Sequence, residues 1–132
     1  MKTILKPESV IHPELSYKII GCAFEVYNQI GPGFQEKIYQ RALREAFNLK
    51  ELKFKEQVFY DIKFNKTRVG RGFMDFLVDE KIVVEIKRGN FFSKTDIDQV
   101  IQYLKMSNLE LGILIRFTDE AVRYKRILNI IK

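Results

Sequence analysis

Cysteine and histidine occur once each in the 132 residues. That supply excludes an internal disulfide, a cysteine-based zinc site and a histidine-rich metal site. Cys22 falls within an apolar helical pattern and is expected as a buried thiol. His12 precedes Pro13 and is expected at a helix start. Tryptophan is absent, and 7 Gly with 3 Pro leave no stretch of linker composition. No apolar run approaches bilayer-spanning length, and the N-terminal residues lack the apolar core of a secretory signal. The expectation is therefore a reducing, cytoplasmic setting with no membrane partner. Neither an internal repeat nor a low-complexity segment is visible.

What is present has a globular balance, 46% apolar and 30% charged, with 11 Phe. The length suits a single domain spanning residues 1–132. The net charge of +6 is uneven. Residues 1–40 are neutral, and residues 41–88 hold 12 basic against 8 acidic groups, a net +4. Such an excess fits a polyanionic partner, and it equally fits a solvated basic surface.

Periodicity predicts the elements. Leu15, Ile19, Cys22, Ala23, Val26 and Ile30 recur at helical spacing from Pro13 to about Gln29, and Gly31-Pro32-Gly33 ends that helix. A second helix is expected from Phe34 to Phe47. Residues 54–64 are β-prone, Asn65-Lys66-Thr67 reads as a turn, and Val69 to Val78 as a strand. Asp79-Glu80-Lys81 is a second turn before a strand from Ile82 to Lys87. These three strands make an antiparallel meander. After a loop at Gly89–Phe92, Ser93 to Asp96 matches a capping box in which Asp96 reaches back, opening a helix to about Met106. Leu111 to Phe117 is apolar on both faces, as in a buried interior strand. A last strand is expected from Val122 to Ile130. The order is ααβββαββ, an α/β fold.

Within the almost wholly apolar hairpin, Asp75, Glu85 and Lys87 stand out. Buried charges need a counter-charge or a metal. With the turn centred on Glu80, Val78 faces Ile82 and Asp75 faces Glu85. Glu85 and Lys87, two apart, share a face. Two opposed carboxylates repel, and a divalent cation removes the repulsion. Oxygen ligands without His or Cys favour Mg²⁺ or Mn²⁺. Such an ion polarises a phosphoryl oxygen and acidifies a bound water that Lys87 can position. The competing arrangement is a hairpin salt bridge of Lys87 with Asp75 or Glu85.

Gly33, Glu36 and Tyr39 complete the pattern G-x-x-E-x-x-Y, and Gln99 and Tyr103 form Q-x-x-x-Y. With Asp75 and Glu85-Ile86-Lys87, the chain resembles the GxxExxY protein family, a branch of the PD-(D/E)XK nuclease superfamily, from roughly Glu14 to Ile127. The resemblance implies a restriction-endonuclease-like core, a mixed sheet in which the meander is joined by a strand after a crossover helix, with helices flanking it. It also implies a divalent-metal-dependent nuclease whose partner is nucleic acid, DNA first. Asp75, Glu85 and Lys87 would be catalytic. Glu36, Asp75, Glu85 and the Ile86 carbonyl would hold Mg²⁺ or Mn²⁺. Gln99, Tyr103, Arg88 and Arg116 would organise the site or contact substrate.

Residue patterns run beside this. Glu36, Tyr39 and Leu43 share a helical stripe, which predicts a partly buried Glu36, although a first-turn acid also suits the helix dipole. Gln99 and Tyr103 read equally as a boundary glutamine and a buried aromatic. Met74 replaces the superfamily's proline. Arg116 stands where the family often has Asn, either to contact phosphate or to cap the strand end. Arg71, Lys94 and the Arg123, Lys125, Arg126 cluster are further phosphate-steering candidates. The alternative function is a catalytically silent nuclease-fold module that binds nucleic acid or a protein. The short chain suggests completion by a homodimer or partner. A purely structural set of ion pairs is a third reading.

Overall fold

Pro13 starts α1 (Pro13–Ile30), where its fixed φ suits a helix and its missing N–H leaves no orphan donor. In this computed structural model, which describes residues 11–129, His12 is the N-cap, as the sequence suggests. α1 buries Ile19, Cys22, Ala23 and Val26. Burial pushes the Cys22 thiol up to about 11, which makes it an inert packing group.

α2 (Glu36–Leu49) begins two residues later than the apolar pattern suggests. Tyr39 explains the delay. Its hydroxyl donates to the Gly31 carbonyl at 2.7 Å and accepts from the Phe34 N–H at 3.4 Å. The loop is thereby held open, with Gly33 at a φ of 94° that a side chain would strain. The Tyr39 ring stacks on Phe117 at 4.1 Å between centroids.

The strands are β1 (Phe54–Phe64), β2 (Thr67–Val78), β3 (Ile82–Arg88), β4 (Leu111–Phe117) and β5 (Val122–Leu128), with α3 (Lys94–Ser107) between β3 and β4. They form one sheet in the order β1-β2-β3-β4-β5. All pairs are antiparallel except β3 with β4, which α3 joins as a parallel crossover. This is the expected α/β order with a mixed sheet. Thr67, expected in the turn, opens β2 instead. Asn65 and Lys66 both take positive φ, so a two-residue hairpin turn suffices. The last strand stops at Leu128, and Ile130 lies outside the described residues.

α1 and α2 cover one sheet face over Phe76, Val78, Val84 and Ile113. α3 covers the other over Val83 and Leu114. Ser93 caps α3 by accepting from the Asp96 N–H at 3.0 Å. The Asp96 carboxylate does not complete the expected capping box. It pairs with Arg116, whose buried guanidinium has the stronger need of an anion. A Cβ on Gly112 would lie 2.5 Å from Val100 Cγ1 and 3.1 Å from Val83 Cγ1, so glycine sets how closely α3 approaches β4. Gly112→Ala should cost about 1–3 kcal/mol through overpacking, read by denaturant unfolding. A neutral result would show that α3 can shift freely. Among the described residues, no helix is long and apolar enough to cross a membrane.

Candidate metal and catalytic site

The site grows out of a break in the β2–β3 ladder. The register runs Val78↔Ile82, Leu77↔Val83, Phe76↔Val84 and then stops. The next step sets Asp75 opposite Glu85, as the turn geometry suggests. Here side chains replace the ladder. The Asp75 N–H donates to Glu85 Oε1 at 3.1 Å, and the Ile86 N–H donates to Asp75 Oδ2 at 2.7 Å. Each carboxylate is thus gripped by the other strand's backbone. Within a strand, a residue's N–H and C=O point to the same side. The Ile86 carbonyl therefore faces the widening gap beside Asp75.

The neighbouring hairpin helps open that gap. Gln57 takes a φ of 50°, and the Gln57–Asp75 pair drops out of the β1–β2 ladder between Glu56↔Phe76 and Val58↔Met74. Across this point the ribbon changes face. Phe54, Phe76 and Val78 pack with α1 and α2, whereas Val58, Tyr60 and Met74 pack with α3, although all six are even-numbered. Asp75 sits at the crossover.

Glu85 is buried, and Lys87 lies on the same face with its Nζ 3.6 Å from Glu85 Oε2. Burial first, then the charge and hydrogen bonding of Asp75, push the Glu85 carboxyl from 4.5 up to about 9, while Lys87 pulls it down. Lys87 thus offsets only part of the combined push from burial and Asp75. The expected contact between Lys87 and Glu85 exists.

Glu36 corrects the expectation of a partly buried acid. It is exposed, because the Tyr39-clamped loop sets α2 to begin at this residue, at the protein surface. One of its oxygens lies 3.5 Å from the Arg88 N–H, so the helical acid still reaches the end of β3. The G-x-x-E-x-x-Y spacing acquires a physical reading: Tyr39 fixes the loop, Gly33 permits it, and Glu36 is presented at the helix start.

Arg116 is buried, and it bridges two segments. It donates from Nη1 to the Arg88 carbonyl at 2.6 Å and pairs through Nη2 with Asp96. Its Nε has no partner among the described residues. Tyr103 is buried and meets Tyr60 edge-on at 5.1 Å, while Gln99 is half-buried. No hydrogen bond among the described residues joins Gln99 or Tyr103 to Asp75, Glu85 or Lys87. Gln102 of α3 accepts from the Tyr60 hydroxyl of β1 at 2.7 Å.

Several steering candidates are engaged elsewhere. Arg71 pairs with Asp61 and Lys94 with Asp98. Arg126 donates to Ser16 Oγ on the α1 face, apart from Arg123 and Lys125. The sequence reading missed Gln57, which has no local signature. Phe91 and Phe92 do carry a sequence signal, two adjacent aromatics in the loop that follows β3.

A family model described as the PD-(D/E)XK nuclease superfamily matches residues 13–127. No curated protein gives a match. Among solved structures, five chains match. One of them, titled "Crystal structure of SSO0001", superposes with a TM-score of 0.58 at 18% identity, over 92% of this chain and 60% of that one. This chain therefore spans little more than half the length of that protein, and the likeness is one of fold.

Proposed function

Because this chain belongs to the PD-(D/E)XK nuclease superfamily, we propose that it is a divalent-metal-dependent nuclease hydrolysing phosphodiester bonds in nucleic acid, with DNA the first substrate to test. The observation that carries the reading is the reciprocal clasp of Asp75 and Glu85 with Lys87 beside it. The donor set fits Mg²⁺ or Mn²⁺. It comprises two carboxylates and the Ile86 carbonyl, all hard oxygens, and burial together with the neighbouring Asp75 raises the Glu85 pKa, so a bound cation would favour its ionised form. Glu36 would complete the set from the start of α2. Its approach to Arg88 and the Gly33-Glu36-Tyr39 spacing support membership of the GxxExxY branch.

A bound ion would polarise a phosphoryl oxygen and acidify a water. The chain's own groups do the rest. The Lys87 ammonium has three donors and no acceptor, so it orients the attacking water or stabilises charge that develops on the phosphorus oxygens. Arg116 holds the Arg88 backbone and thereby the end of the strand that carries Lys87. Gln99 and Tyr103 would act through the packing of α3 on this sheet face.

The test is cleavage of single- and double-stranded DNA and RNA with Mg²⁺ or Mn²⁺, alongside calorimetric titration of Mn²⁺. Asp75→Asn should abolish both cleavage and metal binding. A second reading, a catalytically silent binding module, is favoured by one observation. Among the described residues, no three His, Cys, Asp or Glu side chains lie close enough to hold a metal. Absence of metal binding, with nucleic-acid affinity unchanged by Asp75→Asn, would establish that reading instead.

A further inference from the structure

The sheet face that carries Lys87 continues past the carboxylates. Lys87 pairs in register with Arg116 on β4, and Arg116 with Arg123 on β5. Residues opposite one another on neighbouring strands point to the same face. Three cations therefore form a row from the carboxylates towards the sheet edge. Lys125 stands two residues beyond Arg123, on that same face.

The row ends at a cleft of about 640 Å³ between the loop after β3 and the β4–β5 turn, lined by Phe91, Phe92, Ile97, Arg123 and Lys125 among others. Phe92 is held in place by cations: the Arg116 guanidinium lies 5.6 Å and Lys125 Nζ 5.7 Å from its ring centroid. Phe91 is 82% exposed, the most exposed of the large apolar side chains in the described residues. Two acids also line the cleft. Asp119 is engaged, because it accepts from Asn90 Nδ2 at 3.3 Å while its N–H donates to Asn90 Oδ1 at 3.2 Å. That exchange ties the Phe91 loop to the β4–β5 turn. Glu120 is exposed to solvent.

We propose that this cleft is a single-strand subsite. It takes one unpaired nucleotide, with the base on Phe91, the phosphates along Arg123 and Lys125, and the strand running past Arg116 and Lys87 to the carboxylates. The choice of ligand rests on the nuclease reading above. An aromatic ring with free faces beside a row of cations is the chemistry that binds single strands, since every base has a π-face and every nucleotide a phosphate. Bases within a duplex are stacked on their neighbours and offer Phe91 no face. A peptide seated on Phe91 alone would leave Arg123 and Lys125 without an anion.

The test is fluorescence anisotropy in EDTA, where cleavage cannot interfere. The probes are labelled oligothymidylate and oligouridylate of about a dozen nucleotides, within the span of one basic groove, and a blunt DNA duplex of equal length. Single strands should bind more tightly than the duplex. Phe91→Ala should weaken single-strand binding about tenfold and leave duplex binding nearly unchanged. Phe91→Tyr, which keeps the ring, should bind as the parent does. Lys125→Ala should lower the salt slope by about one. Single-strand affinity unchanged in Phe91→Ala, or an equal loss on the duplex, would overturn the subsite. The nuclease reading fails separately. A chain that never cleaves but loses single-strand affinity with Phe91→Ala keeps the subsite, whereas one that cleaves normally with Phe91→Ala inert keeps only the nuclease.

Discussion

Lys87→Ala is expected to lower metal-dependent cleavage by about 10²- to 10³-fold, the usual cost of removing one donor aimed at transition-state charge. Metal binding should survive, because the lysine supplies no ligand. This separates Lys87→Ala from Asp75→Asn, which should lose both. The fold should also survive, since Lys87 is partly exposed and its one ion-pair partner among the described residues is Glu85 at 3.6 Å. Lys87→Arg should not restore the rate. The planar guanidinium is longer and presents its donors in a fixed fork rather than at one point. The measurement is single-turnover cleavage at saturating Mn²⁺, with calorimetry alongside. Activity retained within about threefold in Lys87→Ala would remove the residue from the chemistry, because so small a change lies within surface-charge effects.

The register that brings Asp75, Glu85 and Lys87 together is legible in the sequence. Counting outward from Glu80 sets Val78 against Ile82, and the structure has that pair. Three residues of strand then bring Asp75 to Glu85. Strand periodicity also places Lys87 on the face of Glu85. The apolar run of β4 marks an interior strand, because burial on both faces excludes a sheet edge, while the mixed sheet itself is what the family resemblance implies. What stayed hidden was non-local. Gln57 leaves the β region because the ribbon must change face there, which no local propensity encodes. Asp96 left its capping role because a buried arginine twenty residues away competes for it. Glu36 lay on the same stripe as two core residues yet is exposed, since a stripe fixes direction around a helix but not how far its first turn projects beyond the sheet. Phe91 and Phe92 gained meaning only when β5 brought Arg123 and Lys125 beside their loop.

The second large effect concerns pH. Burial and Asp75 push Glu85 from 4.5 up to about 9. The folded state therefore holds this proton more tightly than the unfolded chain does. The sign follows from linkage: folding stability rises with pH only where the unfolded state binds more protons, and here it binds fewer. Without metal, the Glu85 contribution to stability should be full below about pH 4.5 and should be lost as pH climbs towards 9. Glu85→Gln should flatten that fall, since the amide keeps the shape and cannot ionise. Added Mn²⁺ should reverse it in the parent chain, because an ion that binds only the folded state stabilises by mass action and also supplies the missing countercharge. The gain in Tm should thus be small near pH 5 and grow with pH, reaching about 4 °C or more near pH 8, the shift expected from roughly 1 kcal/mol in a domain of this size. Glu85→Gln should show little gain at any pH. Thermal unfolding followed by circular dichroism, across pH and with EDTA or Mn²⁺, reads all three curves. Metal-free stability that rises between pH 5 and 9 would mean that Lys87 already balances Asp75 and Glu85, and the case for a cation between β2 and β3 would fall with it.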